Sequence, residues 1–521
     1  MEEVGQRMVR RDGPHTFRSK IKRLGELSQL LAAVRAPDKQ VVHCHGVFDP
    51  LHIGHIRHFE QAKKLGQILV VTVTPDRFVK KGPHRPVFPE QLRAEAIAAL
   101  ECVDFVAVNE WPMAIETIQA LRPDVYVKGS EFRTGADRTG AIPLEEQAVA
   151  AVGGRIAFTD DITFSASNLV NRHFPVFPKE VSDYLGGFAA RYGAGTVLRY
   201  LDNIRDLSVL VVGETILDEY HYCQAIGKSS KEPTLAVRYL TQEKFAGGIL
   251  AVANHLAGFS DRVTLLTCLG ANDPQEGFIR DKLQAKIDAR FLYRKDAPTI
   301  VKRRFIESYF FTKLFEVYEI NDAPLDGEEN ARLCRALRDS VAGFDVVVVV
   351  DFGHGLLSRE AVDVLCREAR FLAVNTQSNA GNLGYHTISK YPRADYVCIA
   401  ENEMRLEARD RGGQLRPMVE DVSRRLACGR VVVTRGSRGC LCFDAAQGFV
   451  EVPAFAGQVV DRVGAGDAFL SVTAPCVAQG APMEVVGFIG NAVGAQAVAT
   501  VGHRSSVERV GLTRHIEHLL K

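Results

Sequence analysis

The sequence predicts an α/β protein built from two doubly wound, parallel-sheet domains, and three observations carry that expectation. Short β-branched runs alternate with longer amphipathic stretches along almost the whole chain, the pattern of βαβ units. Two strings, HGVFDPLHIGH at 45–55 and DRVGAGDAF at 461–469, set glycine-bent turns at the starts of helices. Proline and glycine cluster between 175 and 205, where one periodic region gives way to another.

Taken in order, residues 1–38 read as a basic tail and an amphipathic helix with Leu24, Leu27, Leu30 and Leu31 on one face. A first domain is expected over 39–175. A linker follows over 176–205, ending in a short helix at Val197 to Ile204. The strand SVLVVG at Ser208 then opens a second domain over 206–521. A length of 521 residues, at about 150 per domain, accommodates two large domains.

Composition narrows the function classes. Hydrophobic residues make up 46% and charged residues 24%, as in a soluble globular protein, and the net charge is +1. So even a balance supplies no basic face for counterion release, which argues against a nucleic-acid coat. No apolar run approaches the roughly 20 residues of a membrane span. The longest, such as Val346 to Val350, read as buried strands. The first 20 residues are polar with several Arg and lack an apolar core, so no signal peptide is expected. The eleven Cys include no CxxC pair, although Cys440 and Cys442 fall on one face of a strand. They read as buried free thiols in a reducing compartment, the cytoplasm, and no Cys/His spacing suits zinc.

Gln40 to Cys44 reads as a buried strand running into the first glycine turn. A helix N-terminus offers unpaired N–H groups and a positive dipole end. His52 and His55, three residues apart there, can face one anion and stabilise charge during phosphoryl or nucleotidyl transfer. Gly46 and Gly54 let the backbone approach phosphates closely.

With these residues the region 22–173 resembles the nucleotidyltransferase superfamily with the HxGH signature. The likeness is greatest to its cytidylyltransferase-like branch, which includes the adenylyltransferase half of bifunctional heptose kinase/adenylyltransferases. It extends through Arg85-Pro86-Val87, Gln91-Leu92-Arg93, Pro123 to Gly129, and Phe164 to Leu169. The resemblance implies that His52 and His55 contact nucleotide phosphates and that Lys80 or Lys81 reaches a phosphate. It implies that Arg93 helps bind phosphate and that Ser165 and Ser167 cap a helix at the β/γ-phosphates. Gly46, Phe48, Gly54 and Lys128 join the nucleotide-binding candidates. Class I aminoacyl-tRNA synthetases share the HIGH string, but the KMSKS-like loop they pair with it is not found. The family's turn begins Thr-Asn-Gly or Thr-Tyr-Gly; Cys44-His45-Gly46 departs from it near the nucleotide or acceptor.

In the second string, Gly464 and Gly466 allow a tight loop whose N–H groups converge, with Ala465 between them, on a transferring phosphoryl group. Asp467 in the same turn can accept the proton of an attacking hydroxyl. Residues 206–521 thus resemble the ribokinase-like (phosphofructokinase-B) sugar kinases. The resemblance implies sugar contacts at Asp218, Gly247 and Gly248. It implies a nucleotide-binding turn at Thr434, Gly436 and Gly439, and a wall beside adenine at Asn491. It also implies a β-lid over Lys231 to Tyr239, substrate-phosphate contacts at Lys302 and Arg304, and a magnesium-orienting Glu403. Three positions depart from the family: Ala251 where heptose kinases have Asn, Ala400 in the NxxE element, and Arg462 where Thr is usual.

Together the two halves imply consecutive steps. A kinase phosphorylates a sugar, and a transferase joins the sugar phosphate to a nucleotide with release of pyrophosphate, giving an NDP-heptose or related sugar. ATP, a second NTP (CTP or ATP) and Mg2+ are the implied cosubstrates and cofactor, and a homodimer is expected by analogy. The order is the reverse of the heptose enzymes. The alternative is a single-activity cytidylyl/adenylyltransferase with a regulatory, sugar-binding kinase-like domain.

Overall fold

The structure is a computed structural model that describes residues 17–36, 39–79, 86–129, 141–159 and 177–520. The chain divides into two compact units, Met1–Val176 and Phe177–Leu520. As expected, both are α/β with parallel sheets.

The first unit has five strands: β1 (Val41–Gly46), β2 (Ile68–Val73), β3 (Phe105–Val108), β4 (Val125–Gly129) and β5 (Arg155–Thr159). Their order is β3-β2-β1-β4-β5, and every neighbouring pair is parallel. The central strands are rich in valine because both faces of the sheet are covered. Val42, Cys44, Val71 and Val127 pack on Phe59 and Ile97 on one face. On the other, Val41 and Val70 meet Leu24, Leu27 and Leu31 of the helix Leu24–Val34. The chain winds outward from β1 in one direction and then restarts at β4 in the other. The crevice at the carboxyl ends of β1 and β4 is therefore the switch point where such sheets bind ligands.

The second unit carries β6 (Ser208–Gly213), β7 (Thr215–Lys228), β8 (Leu235–Gly248), β9 (Arg262–Gly270), β10 (Asp288–Arg294), β11 (Ile300–Glu307), β12 (Thr312–Glu319), β13 (Val346–Asp351), β14 (Leu372–Thr376), β15 (Tyr396–Ala400), β16 (Arg430–Thr434), β17 (Cys440–Asp444) and β18 (Gly448–Val452). A nine-stranded sheet runs β10-β9-β6-β13-β14-β15-β16-β17-β18. It is parallel as far as β16, but β17 and β18 are antiparallel. The connections there are too short for the crossover that parallel pairing needs. A separate four-stranded sheet, β12-β11-β7-β8, is dominated by the long β7–β8 hairpin, and the expected lid segment Lys231 to Tyr239 covers part of its tip and the first residues of β8.

One expectation is corrected. Residues 176–205 are not a linker but mostly a helix, Lys179–Asn203, interrupted at Gly193 (φ 63°, ψ 154°). Its Val181, Leu185, Phe188, Val197, Leu198 and Leu201 enter the main core of the second unit. Phe188 stacks on Phe488 with ring centroids 4.2 Å apart. Among the described residues no helix is long and apolar enough to cross a membrane.

Candidate functional site

In the first unit, β1 delivers the chain to Gly46 at the switch point. A Cβ there would lie 2.9 Å from the Phe48 ring, so the glycine makes room for Phe48 to fold back (φ 50°). Phe48 meets His55 edge-on at 5.3 Å and Phe59 at 4.9 Å. His52 is the N-cap of the helix Ile53–Lys63, and its Nδ1 accepts the Gly54 N–H at 3.1 Å. A neutral imidazole that accepts at Nδ1 carries its proton on Nε2, so His52 presents a donor. That Nε2 is buried without a partner among the described residues. Burial lowers the His52 pKa, which favours the neutral ring. The His52 and His55 rings stack at 3.8 Å and 24°, a pair set on one anion-binding helix end.

Asp49, which the sequence reading did not single out, accepts the N–H groups of Val87 (2.6 Å) and Phe88 (3.0 Å) and so anchors the segment after 85 to the turn. Its place inside the motif was the available signal. His43 and His45 both bond the Thr72 hydroxyl, at 2.7 and 2.9 Å. Burial, then Lys128, pushes His43 down to about 3.

Two candidates turn inward. Arg93 is 2% exposed and donates to the carbonyls of Phe88, Val47 and Thr74 and to Asp76. It is a strut between loops rather than a phosphate ligand, because its guanidinium is already enclosed. Lys128 is paired with the buried Glu145 at 2.8 Å, so its ammonium is held by a carboxylate rather than presented to a nucleotide. Lys80, Lys81, Ser165 and Ser167 lie outside the described residues.

In the second unit a cavity of about 370 Å³ opens where the carboxyl ends of the central strands meet the four-stranded sheet. Gly464 (φ 78°) caps the helix Ala465–Ala478, and Gly464, Gly466 and Asp467 line the cavity. Asp467 is 7% exposed and accepts from Gln377 Nε2 at 2.5 Å, and burial raises its carboxyl pKa. Asp218 on β7 faces the same space, with Oδ1 bonded to Arg304. Gly247 is required opposite it, since a Cβ would sit 1.9 Å from Asp218 Oδ2; Gly248 adopts φ 53°.

The two β11 cations differ. Arg304 is shared between Asp218 and Glu316, which places it as a bracket for Asp218. Lys302 lines the cavity, makes no hydrogen bond or ion pair with the described residues, and lies over the rings of Tyr318 and Phe352. Burial lowers its pKa. Glu403 takes one N–H on each oxygen, from Ala400 (2.7 Å) and Ser378 (3.1 Å), and burial pushes it up to about 7.

Thr434 lines the cavity at the end of β16, ahead of the turn formed by Gly436 (φ 58°) and Gly439 (φ 80°). Asn491 does not present its amide to a ligand. It donates to Gly487 O at 3.0 Å and Cys440 Sγ at 3.2 Å, fastening its helix to β17. Sequence reasoning missed Asn375, Gln377 and His503, all on the cavity wall. The first two are polar residues at the carboxyl end of a strand, a readable signal; His503 follows a glycine with no periodicity to mark it. Asp461, just before the loop, accepts from Tyr220 (2.6 Å), Lys313 (2.8 Å), Gly502 N–H (3.0 Å) and Val463 N–H (3.2 Å). Burial would raise its pKa, but the Lys313 and Tyr220 bonds hold it below the ordinary value. Among the described residues no group of three His, Cys, Asp or Glu could hold a metal alone.

A parallel sheet whose loop amides and buried carboxylate converge on a polar cavity defines an α/β phosphoryl-transfer domain. The family model described as pfkB family carbohydrate kinase matches residues 206–509, and the chain belongs to that family. A second model, described as cytidylyltransferase-like, matches 43–153. The chain is 35% identical over 159 residues to the "Bifunctional protein HldE" of Syntrophotalea carbinolica, covering 30% of this chain and 31% of that one. To the protein of the same name from Geobacter sulfurreducens it is 33% identical over 167 residues, 31% of this chain and 32% of that one. The chain thus spans about a third of the length of these curated relatives. Solved structures similar to it include Arabidopsis thaliana ribokinase complexed with ribose and ATP (TM-score 0.47, 17% identity, 60% of this chain and 99% of that one). Escherichia coli phosphofructokinase-2 in complex with potassium gives TM-score 0.48 and 17% identity over 60% of this chain and 99% of that one.

Proposed function

We propose that the second unit phosphorylates a sugar hydroxyl from ATP and that the first joins the resulting sugar 1-phosphate to a nucleotide, releasing pyrophosphate. The observation that carries the reading is Asp467, buried beside the Gly464–Gly466 amides in a cavity that also holds Asp218 and Lys302. Asp218 orients the acceptor, and the Asp467 carboxylate takes its hydroxyl proton as the oxygen attacks the γ-phosphorus. The loop amides receive the charge that develops on the phosphoryl oxygens. Lys302, which makes no ion pair with the described residues, supports an acceptor that carries an anionic group, and a phosphate in that role would stay on the sugar through both transfers. Transfer is placed on the anomeric hydroxyl, because only a sugar 1-phosphate then yields an NDP-sugar.

In the second step a sugar-phosphate oxygen attacks the α-phosphorus of CTP or ATP and pyrophosphate leaves. His52 Nε2–H and His55 bind phosphate oxygens at the helix end. Magnesium would neutralise the triphosphates. Glu403 fits a water-mediated contact to it, since each of its oxygens accepts only one N–H. The resemblance to the heptose enzymes supports a heptose or related sugar as substrate. A cytoplasmic homodimer acting on small molecules completes the proposal.

The test is a matrix of sugar phosphates against the four NTPs, with ADP and pyrophosphate read separately. Both products are expected from one acceptor. Asp467→Asn should abolish ADP formation but not pyrophosphate release from supplied sugar 1-phosphate; ADP formed undiminished by that variant would overturn the kinase assignment. Pyrophosphate release by a wild-type chain that forms no ADP would fit a transferase with a regulatory kinase-like domain.

A further inference from the structure

We infer that His503 is a positioning residue of the kinase cavity, one imidazole bracing the acceptor-side carboxylate Asp218 against the anion loop at Gly464. The inference rests on the kinase reading above.

Gly502 takes φ 49° and donates its N–H to Asp461 at 3.0 Å, which turns the following side chain inward. The His503 side chain is 6% exposed and lines the cavity. It sits between two glycines from distant parts of the chain. A Cβ on Gly464 would lie 2.2 Å from His503 Cε1, and one on Gly247 would lie 3.3 Å from Cδ2. Its Nε2 is 3.6 Å from Asp218 Oδ2, at ion-pair range though beyond a formed hydrogen bond.

Arg304 pins only Oδ1 of Asp218, so Oδ2 has Gly247 and the imidazole as its neighbours. A hydroxyl held between Asp218 and Asp467 must stay in line with the phosphoryl group, and a misplacement of about 1 Å can cost on the order of a hundredfold. The side chain at 503 sets the spacing between the carboxylate that holds the acceptor and the loop that holds the phosphoryl group. It is therefore also a determinant of which acceptor fits. The ring lies within reach of both Asp218 and Gly464.

The experiment compares His503→Ala and His503→Gln in the full chain, with acceptor and ATP varied separately and melting followed as a check on folding. Truncation to Ala should raise the acceptor KM and lower kcat, each by about tenfold, with the ATP KM within twofold of wild type. Gln carries an N–H at about the reach of Nε2 and should recover most of kcat/KM. An unshifted acceptor KM in His503→Ala, or Gln no better than Ala, overturns the inference while the kinase reading stands. No ADP from the wild-type chain on any acceptor overturns both.

Discussion

Both units set a glycine-bent turn against a helix N-terminus, yet the turns are furnished differently. The turn after β1 presents two stacked imidazoles, whereas the turn at Gly464 presents a carboxylate among loop amides. Burial acts on them in opposite directions, lowering the pKa of His52 and raising that of Asp467. In each case it favours the uncharged form. The lesson is that the same burial bears on a base and on an acid, and that each turn sets its reactive side chain beside the N–H donors of a helix end.

The widest contrast between the turns comes from a pair of substitutions. Asp467→Asn should cut ADP formation by about 10²–10⁴-fold and leave pyrophosphate release from supplied sugar 1-phosphate unchanged. His55→Ala should cut pyrophosphate release by about 10²–10³-fold and leave ADP formation unchanged. Loss of pyrophosphate release from supplied sugar 1-phosphate in Asp467→Asn, or of ADP formation in His55→Ala, would break the division of labour. Next, Arg93→Met should destabilise the first unit by about 2–4 kcal/mol in denaturant titration, because several enclosed carbonyls lose their donor. A rise in nucleotide KM without loss of stability would return Arg93 to the phosphate site.

A smaller effect separates the two β11 cations. Lys302→Met should raise the KM for a phosphorylated acceptor by about 10–100-fold but not for its unphosphorylated counterpart. The smallest concerns pH. Burial, then the neighbouring Asp351, pushes Glu214 up to about 7 from the ordinary 4.5. The folded state keeps a proton that the unfolded chain gives up. The stabilisation is therefore complete below about 4.5 and is lost as pH rises through about 7. The melting temperature should fall by several degrees between pH 5.5 and 8.5 (about the span of this titration), and the slope should lessen in Glu214→Gln, with Glu403, also pushed up to about 7, carrying part of what is left.

Much of the architecture was legible because local patterns suffice for it. Val346 to Val350 read as a buried strand and lies within the wholly buried β13. Only the end of the helix over 179–203 was legible, as the short helix expected at Val197 to Ile204; before it, Pro178, Gly186, Gly187 and Gly193 mask the spacing of Val181, Leu185 and Phe188. The two turns announced themselves, but the jobs of individual polar residues did not. Arg93, Lys128 and Asn491 look like ligand contacts in isolation. Asp76, Glu145 and Cys440, on other elements of the fold, engage them first. His503 is the converse: nothing local marks it, and only folding brings it between Gly247 and Gly464.

Asp461 joins segments that are far apart in the chain: Tyr220 on β7, Lys313 on β12 and the backbone at Gly502, all immediately before the phosphate-gripping loop. A rivet of this kind transmits tilt. Any tilt of the four-stranded sheet would pass through these bonds to the loop at Gly464, without a separate messenger.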